Sequence, residues 1–134
     1  MNILFVDDLP DRVKQFRQQA IGHSVVVAET FDQAMNALRN VGPAKFDCIY
    51  LDYDLLPEHY GDDKVTKGTG DELAAYICSH SRKFKDTTVI LHSLKHRGRE
   101  RMKARFDKAM VRNIDAPWAW LRPVPYPGVH PKSA

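Results

Sequence analysis

The feature that most constrains this chain is an alternation of two patterns. Four short apolar runs, largely β-branched or aromatic, occupy Asn2 to Val6, Ser24 to Ala28, Phe46 to Leu51 and Thr87 to Leu91, and between them apolar residues return every three or four positions. A short continuous apolar run bounded by turn formers reads as a strand buried on both faces, and the intervening periodicity reads as amphipathic helix. Strands separated by helices pair in parallel, because a parallel connection needs a crossover of helix length. The expected architecture is an α/β domain: a mostly parallel, doubly wound, five-stranded sheet with helices on both faces. A length of 134 residues, 43% of them apolar, suits one such domain with one core.

Local signals set the expected boundaries. Asp7-Asp8-Leu9-Pro10 stops the first run, and Asp11 is expected to cap a helix to Ala20 that buries Val13, Phe16 and Ala20. Thr30 is placed to cap a second helix, marked by Phe31, Ala34, Met35 and Leu38 and ended by Gly42-Pro43. A third helix is expected from Asp71 to Ser81, and a fourth from Gly98 to Met110 with Met102, Phe106 and Met110 facing inward. A fifth strand is placed around Val111 to Ile114. From Pro117 onward five prolines predict an extended or irregular Pro/Trp-rich tail. The expected division is a domain over residues 1–116 and a tail over 117–134, packed on it.

A formal charge of +3 permits a polyanionic partner without requiring one. Cys48 and Cys78 stand in apolar segments outside any CxxC spacing, as in a reduced cytoplasmic protein without a zinc or disulfide framework. The run Ile3 to Val6 is too short for a signal peptide and no run reaches membrane-spanning length, so no membrane partner is expected.

The residues just beyond each strand suggest a function. Asp7 and Asp8 come after the first, Asp52 and Asp54 after the third, and His92 and Ser93 after the fourth. In an open parallel sheet these positions share one rim, where ligands bind. If the strand order is flavodoxin-like, strands one and three are neighbours and Asp7, Asp8 and Asp52 cluster. Carboxylates that close repel one another unless a proton or cation sits among them, and an all-oxygen set suits Mg²⁺ or Mn²⁺. Each residue also has a plainer reading: an acid after a strand as turn former or cap, and His92 as a structural histidine.

These residues resemble a response-regulator receiver domain over about residues 1–110. The resemblance implies that Asp7 and Asp8 hold Mg²⁺ together with the carbonyl of Asp54, that Asp52 accepts a phosphoryl group and that Ser93 contacts it. Two departures stand out. The strand-five region reads "VRNIDAPWAW" without the lysine receivers carry there, and the loop from Pro57 to Thr69, with Asp62, Asp63 and Lys64, is long. "LFVDDLPDR", "LDYDL" with a later "GTG", and "LHSLKHRGRERM" are more similar to the cyclic-phosphate-processing receiver group, often phage-encoded. The positions that carry over are Asp7, Asp8, Arg12, Asp52, Asp54, Thr69, Gly70, His92 and Ser93.

The resemblance implies a metal-dependent phosphoesterase acting on a cyclic phosphate, such as the 2′,3′-cyclic end of an RNA. Asp7, Asp8, Asp52 and Asp54 would hold the cation. Asp52 would act as ligand or nucleophile, and His92 would protonate the leaving oxygen. Ser93, Arg12, Thr69 and Gly70 would hold the phosphate. Two alternatives stand beside it: a non-enzymatic, receiver-derived module that binds a protein through Trp118, Trp120 and Tyr126, and a stand-alone phospho-accepting receiver. The basic stretch KHRGRERMKAR is either a solvated helix face or a track for a nucleic-acid backbone.

Overall fold

The computed structural model describes residues 1–42, 45–55 and 68–116. Along the chain run β1 (Asn2–Val6), α1 (Pro10–Gln19), β2 (Ser24–Ala28), α2 (Phe31–Arg39), β3 (Cys48–Leu51), α3 (Gly70–Ser79), β4 (Thr88–Leu91), α4 (His96–Lys108) and β5 (Asn113–Asp115). All strand pairs are parallel and the order is β2-β1-β3-β4-β5, the flavodoxin-like arrangement that goes with the receiver resemblance.

The period of two along each strand divides the core. Leu4, Val6, Ile49, Leu51, Val89 and Leu91 face α2, α3 and α4, meeting Leu38, Leu73, Ile77, Met102 and Phe106. Ile3, Phe5, Cys48, Tyr50 and Ile90 face the other way, onto Val13 and Phe16 of α1. The rings of Phe5 and Phe16 stack at 4.0 Å. Because both faces of the central strands are covered, their sequences are apolar without alternation.

β1 and β2 match their expected limits, and Thr30 caps α2 as expected, its Oγ1 accepting from the Gln33 N–H at 3.1 Å. Other boundaries are corrected. Pro10 opens α1 because its fixed φ and missing N–H suit the first helical position, so Leu9 is the N-cap and Asp11 lies within the first turn. Thr69 caps α3, which therefore starts at Gly70 and ends at Ser79. β3 starts at Cys48 and not at Phe46, and β5 starts at Asn113. α4 starts at His96 and ends at Lys108; Met110, expected to face inward, is 91% exposed and has φ of 57° in the turn beyond the helix. The tail from Pro117 and residues 56–67 of the long loop, with Asp62, Asp63 and Lys64, lie outside the described residues.

Candidate functional site

Strand register builds the site. Val6 pairs with Leu51, and Leu51 with Leu91, so the residues immediately after them leave the sheet side by side. The Asp52 N–H donates to the Val6 carbonyl at 3.2 Å, and the His92 N–H donates to the Leu51 carbonyl at 3.3 Å, which extends the ladder one residue into the rim. Asp7, Asp8 and Asp52 each offer a carboxylate oxygen, and these atoms lie within 4.8 Å of one another. Gly70 completes the floor. Its N–H donates to the Tyr53 carbonyl at 2.8 Å, and a Cβ there would overlap the Asp52 carbonyl oxygen and stand 2.9 Å from the Tyr53 Cα. Only a glycine permits that approach.

The three acids differ electrostatically. Burial opposes the charge of Asp7, but the hydrogen bond and charge of His92, the Leu9 N–H and the Arg12 guanidinium together hold its carboxyl below the ordinary range. Asp8 is raised by burial and by the charges of Asp7 and Asp54, against the pull of its own N–H and Arg12. Burial, with the Asp7 charge adding to it, pushes Asp52 up to about 7, against the charge of His92, a hydrogen bond from the Ser93 hydroxyl and the charge of Arg12. Three carboxyl groups crowded together, two of them pushed toward the protonated form by burial and mutual repulsion, form a site that a cation would relieve.

Above the acids opens a cavity of about 250 Å³ lined by Asp8, Asp52, Asp54, Arg12, Ser93 and Lys95, with the partly exposed Leu9 and Leu94 completing its wall. The remaining predicted residues are distributed unevenly around it. Arg12 both lines the cavity and reaches the Asp7 Oδ2 at 3.4 Å. Asp54 is outside the three-acid cluster, and its carboxylate faces the Lys95 Nζ at 3.4 Å. Thr69 is buried as the cap of α3, its Oγ1 accepting from the Asp71 N–H at 3.2 Å, and neither it nor Gly70 lines the cavity.

His92 is fully buried behind Asp7, with Nε2 at 3.0 Å from Asp7 Oδ2 and its ring stacked on Phe5 at 5.0 Å. It does not line the cavity: the expected proton donor to a leaving oxygen stands behind Asp7. Its ring Nδ1 is buried and has no partner among the described residues. Lys95 is the cavity residue that sequence reasoning missed. Its place shortly after His92 and Ser93, in the loop that leaves the rim, was the available signal.

Residues 2–108 match the family described as "Cyclic-phosphate processing Receiver domain". The chain belongs to this family. No curated protein matches the sequence. Among solved structures, this cyclic-phosphate processing receiver domain is similar to the Mn²⁺-bound form of response regulator Rcp1, at 18% identity and a TM-score of 0.58, covering 86% of this chain and 79% of that one. It is similar also to response regulator TrrA from Thermotoga maritima in complex with Mg²⁺-BeF, at 23% identity and a TM-score of 0.54, covering 86% of each chain. The non-phosphorylated HemR receiver domain from Leptospira biflexa shares 21% identity at a TM-score of 0.55, covering 86% and 80%. At these identities the likeness is one of fold.

In this receiver domain several cations of the basic stretch on α4 are paired within the fold, while Arg97 and Arg105 stay exposed. Arg99 donates from Nε to Asp115 at 2.7 Å, Arg101 to the Tyr53 hydroxyl at 2.8 Å, and Arg105 to both oxygens of the buried Asp71 at 2.7 and 3.0 Å. No helix among the described residues is long and apolar enough to cross a membrane.

Proposed function

We propose that this domain is a metal-dependent phosphoesterase that processes a cyclic phosphate, with the 2′,3′-cyclic end of an RNA as the substrate class. The observation that carries the reading is the convergence of three carboxylate oxygens within 4.8 Å on a cavity whose walls also bear Arg12, Ser93 and Lys95. The donor set is all oxygen, which fits Mg²⁺ or Mn²⁺, with Asp7, Asp8, Asp52 and the Asp54 carbonyl as the residues that would hold the ion. When bound, such an ion polarises phosphoryl oxygens and acidifies water. The likeness to Rcp1 in its Mn²⁺-bound form and to TrrA in complex with Mg²⁺-BeF supports the choice of ion.

The chain's own residues do the rest. His92 acts through Asp7 as a positioning residue: its Nε2–H and the Leu9 N–H take one oxygen each and fix the carboxylate in its ionised form. Ser93 and Arg12 hold phosphate oxygens by charge-assisted hydrogen bonds. Asp52, at the centre, is ionised once a cation neutralises its surroundings, and then serves as ligand or as nucleophile. An RNA oligonucleotide ending in a 2′,3′-cyclic phosphate tests the reading. Ring opening is expected to depend on Mg²⁺ or Mn²⁺ and to vanish in Asp52→Asn. A stable aspartyl phosphate from a small phosphodonor, without ring opening, identifies a phospho-accepting receiver in its place. Neither outcome across roughly pH 6 to 9 leaves a protein-binding module.

A further inference from the structure

We propose that Lys95 is the phosphoryl-binding cation of this cavity, held in reserve on Asp54 until a phosphate displaces it; the inference rests on the reading of the site as a phosphate-processing one. The Lys95 ammonium faces the Asp54 carboxylate at 3.4 Å, longer than the roughly 2.7–2.9 Å of a well-made ammonium–carboxylate hydrogen bond. Yet the ammonium group is not a surface one, for its side chain is only 13% exposed and Nζ lies 5.1 Å from the centroid of the Tyr53 ring. The aromatic face steadies the stem beside the cavity that Lys95 lines.

The loop that carries Lys95 is pinned at its base. The Lys95 N–H donates to the Ser93 Oγ at 3.2 Å, while Arg99 donates from Nη1 to the Ser93 carbonyl at 2.8 Å and from Nε to Asp115 at 2.7 Å. Ser93 and Lys95 therefore present their polar ends into one cavity from one rigid turn. The neighbouring end of β5 supplies no positive charge, since Asp115 is taken by Arg99 and the next residue is the buried Ala116. Among the described residues, the cationic side chains lining the cavity are Arg12 and Lys95, and Arg12 already reaches Asp7.

Charge balance then sets the order of binding. Among the described residues Asp8, Asp52 and Asp54 line the cavity beside Asp7, against the two cations Arg12 and Lys95, so a divalent cation favours the entry of a phosphate dianion. Its arrival offers Lys95 a more highly charged partner than Asp54. Isothermal titration of the full chain with inorganic phosphate, at saturating Mg²⁺, tests this, with Mg²⁺ titrated alone as the control. In Lys95→Ala phosphate affinity is expected to fall about tenfold or more while Mg²⁺ affinity does not fall; Lys95→Arg restores most of the loss. Asp54→Asn is expected to tighten phosphate binding, and the gain disappears in the Asp54→Asn/Lys95→Ala pair. Unchanged phosphate affinity in Lys95→Ala, or no binding of phosphate to the wild-type chain with Mg²⁺ bound, overturns the assignment. A Lys95-dependent phosphate site that opens no cyclic ester leaves the assignment standing and overturns only the proposed activity.

Discussion

Replacing Asp52 by asparagine should make this protein more stable, and only above a certain pH. Burial raises the Asp52 carboxyl from an ordinary value of 3.8 to about 7. Between those values the folded chain holds a proton that the unfolded chain releases, so native stability falls as pH climbs from about 4 to about 7 and levels off beyond. At roughly 1.4 kcal/mol for each tenfold change in proton affinity, the ionised Asp52 costs the native state on the order of 4 kcal/mol. Asparagine keeps the shape and removes the charge. Allowing for its amide needing a partner, Asp52→Asn should gain about 2–4 kcal/mol near pH 8, or roughly 6–15 °C in Tm for a chain of this size. Near pH 5 the wild-type carboxyl is largely protonated and most of the gain should vanish. Urea denaturation of both chains at the two pH values, with a chelator present, measures the difference. Added Mg²⁺ should then stabilise the wild type alone and narrow the gap, because the ion binds the native acids. A gap of equal size at both pH values, or a variant less stable than wild type near pH 8, would refute the reasoning.

Two further outcomes rest on packing. Gly70→Ala must push a Cβ into the Asp52 carbonyl oxygen and against the Tyr53 Cα, so it should lower stability by at least about 2 kcal/mol in urea denaturation and weaken Mg²⁺ binding measured by titration. Arg105→Ala strips the bidentate partner from Asp71, which is 1% exposed, and should cost about 2–3 kcal/mol; the double change Asp71→Asn/Arg105→Met should cost less than the single one in the same denaturation series, because no buried charge is left unpaired.

The strands were legible because the centre of this sheet is covered twice. Ile3, Leu4, Phe5 and Val6 are all fully buried, so the run could not hide among polar residues, and the acids beyond it marked the rim. The convergence of Asp7, Asp8 and Asp52 depends on strand order, which alternation left as a condition and the structure supplies. Depth along the rim was not legible. His92 and Ser93 are neighbours, yet one turns beneath Asp7 and the other into the cavity, and a sequence gives no sign of which. Lys95 was legible only as the first cation of the basic stretch, because its partner Asp54 lies 41 residues away in the chain. The pairings along the basic face of α4 were not legible for the same reason, Arg105, Arg101 and Arg99 being matched to Asp71, Tyr53 and Asp115 on other elements.

The Gly70 to Tyr53 hydrogen bond has a consequence for how this domain can be altered. It closes the chain on itself between Tyr53 and Gly70, on either side of residues 56–67 in the sequence. Both flanks are held: Leu55 and Thr69 are almost wholly buried, and the Gly68 N–H donates to Glu72 Oε1 at 2.8 Å. The two flanks are therefore held beside the acids by contacts of their own, so exchanging side chains in the segment between them leaves the Gly70–Tyr53 floor in place.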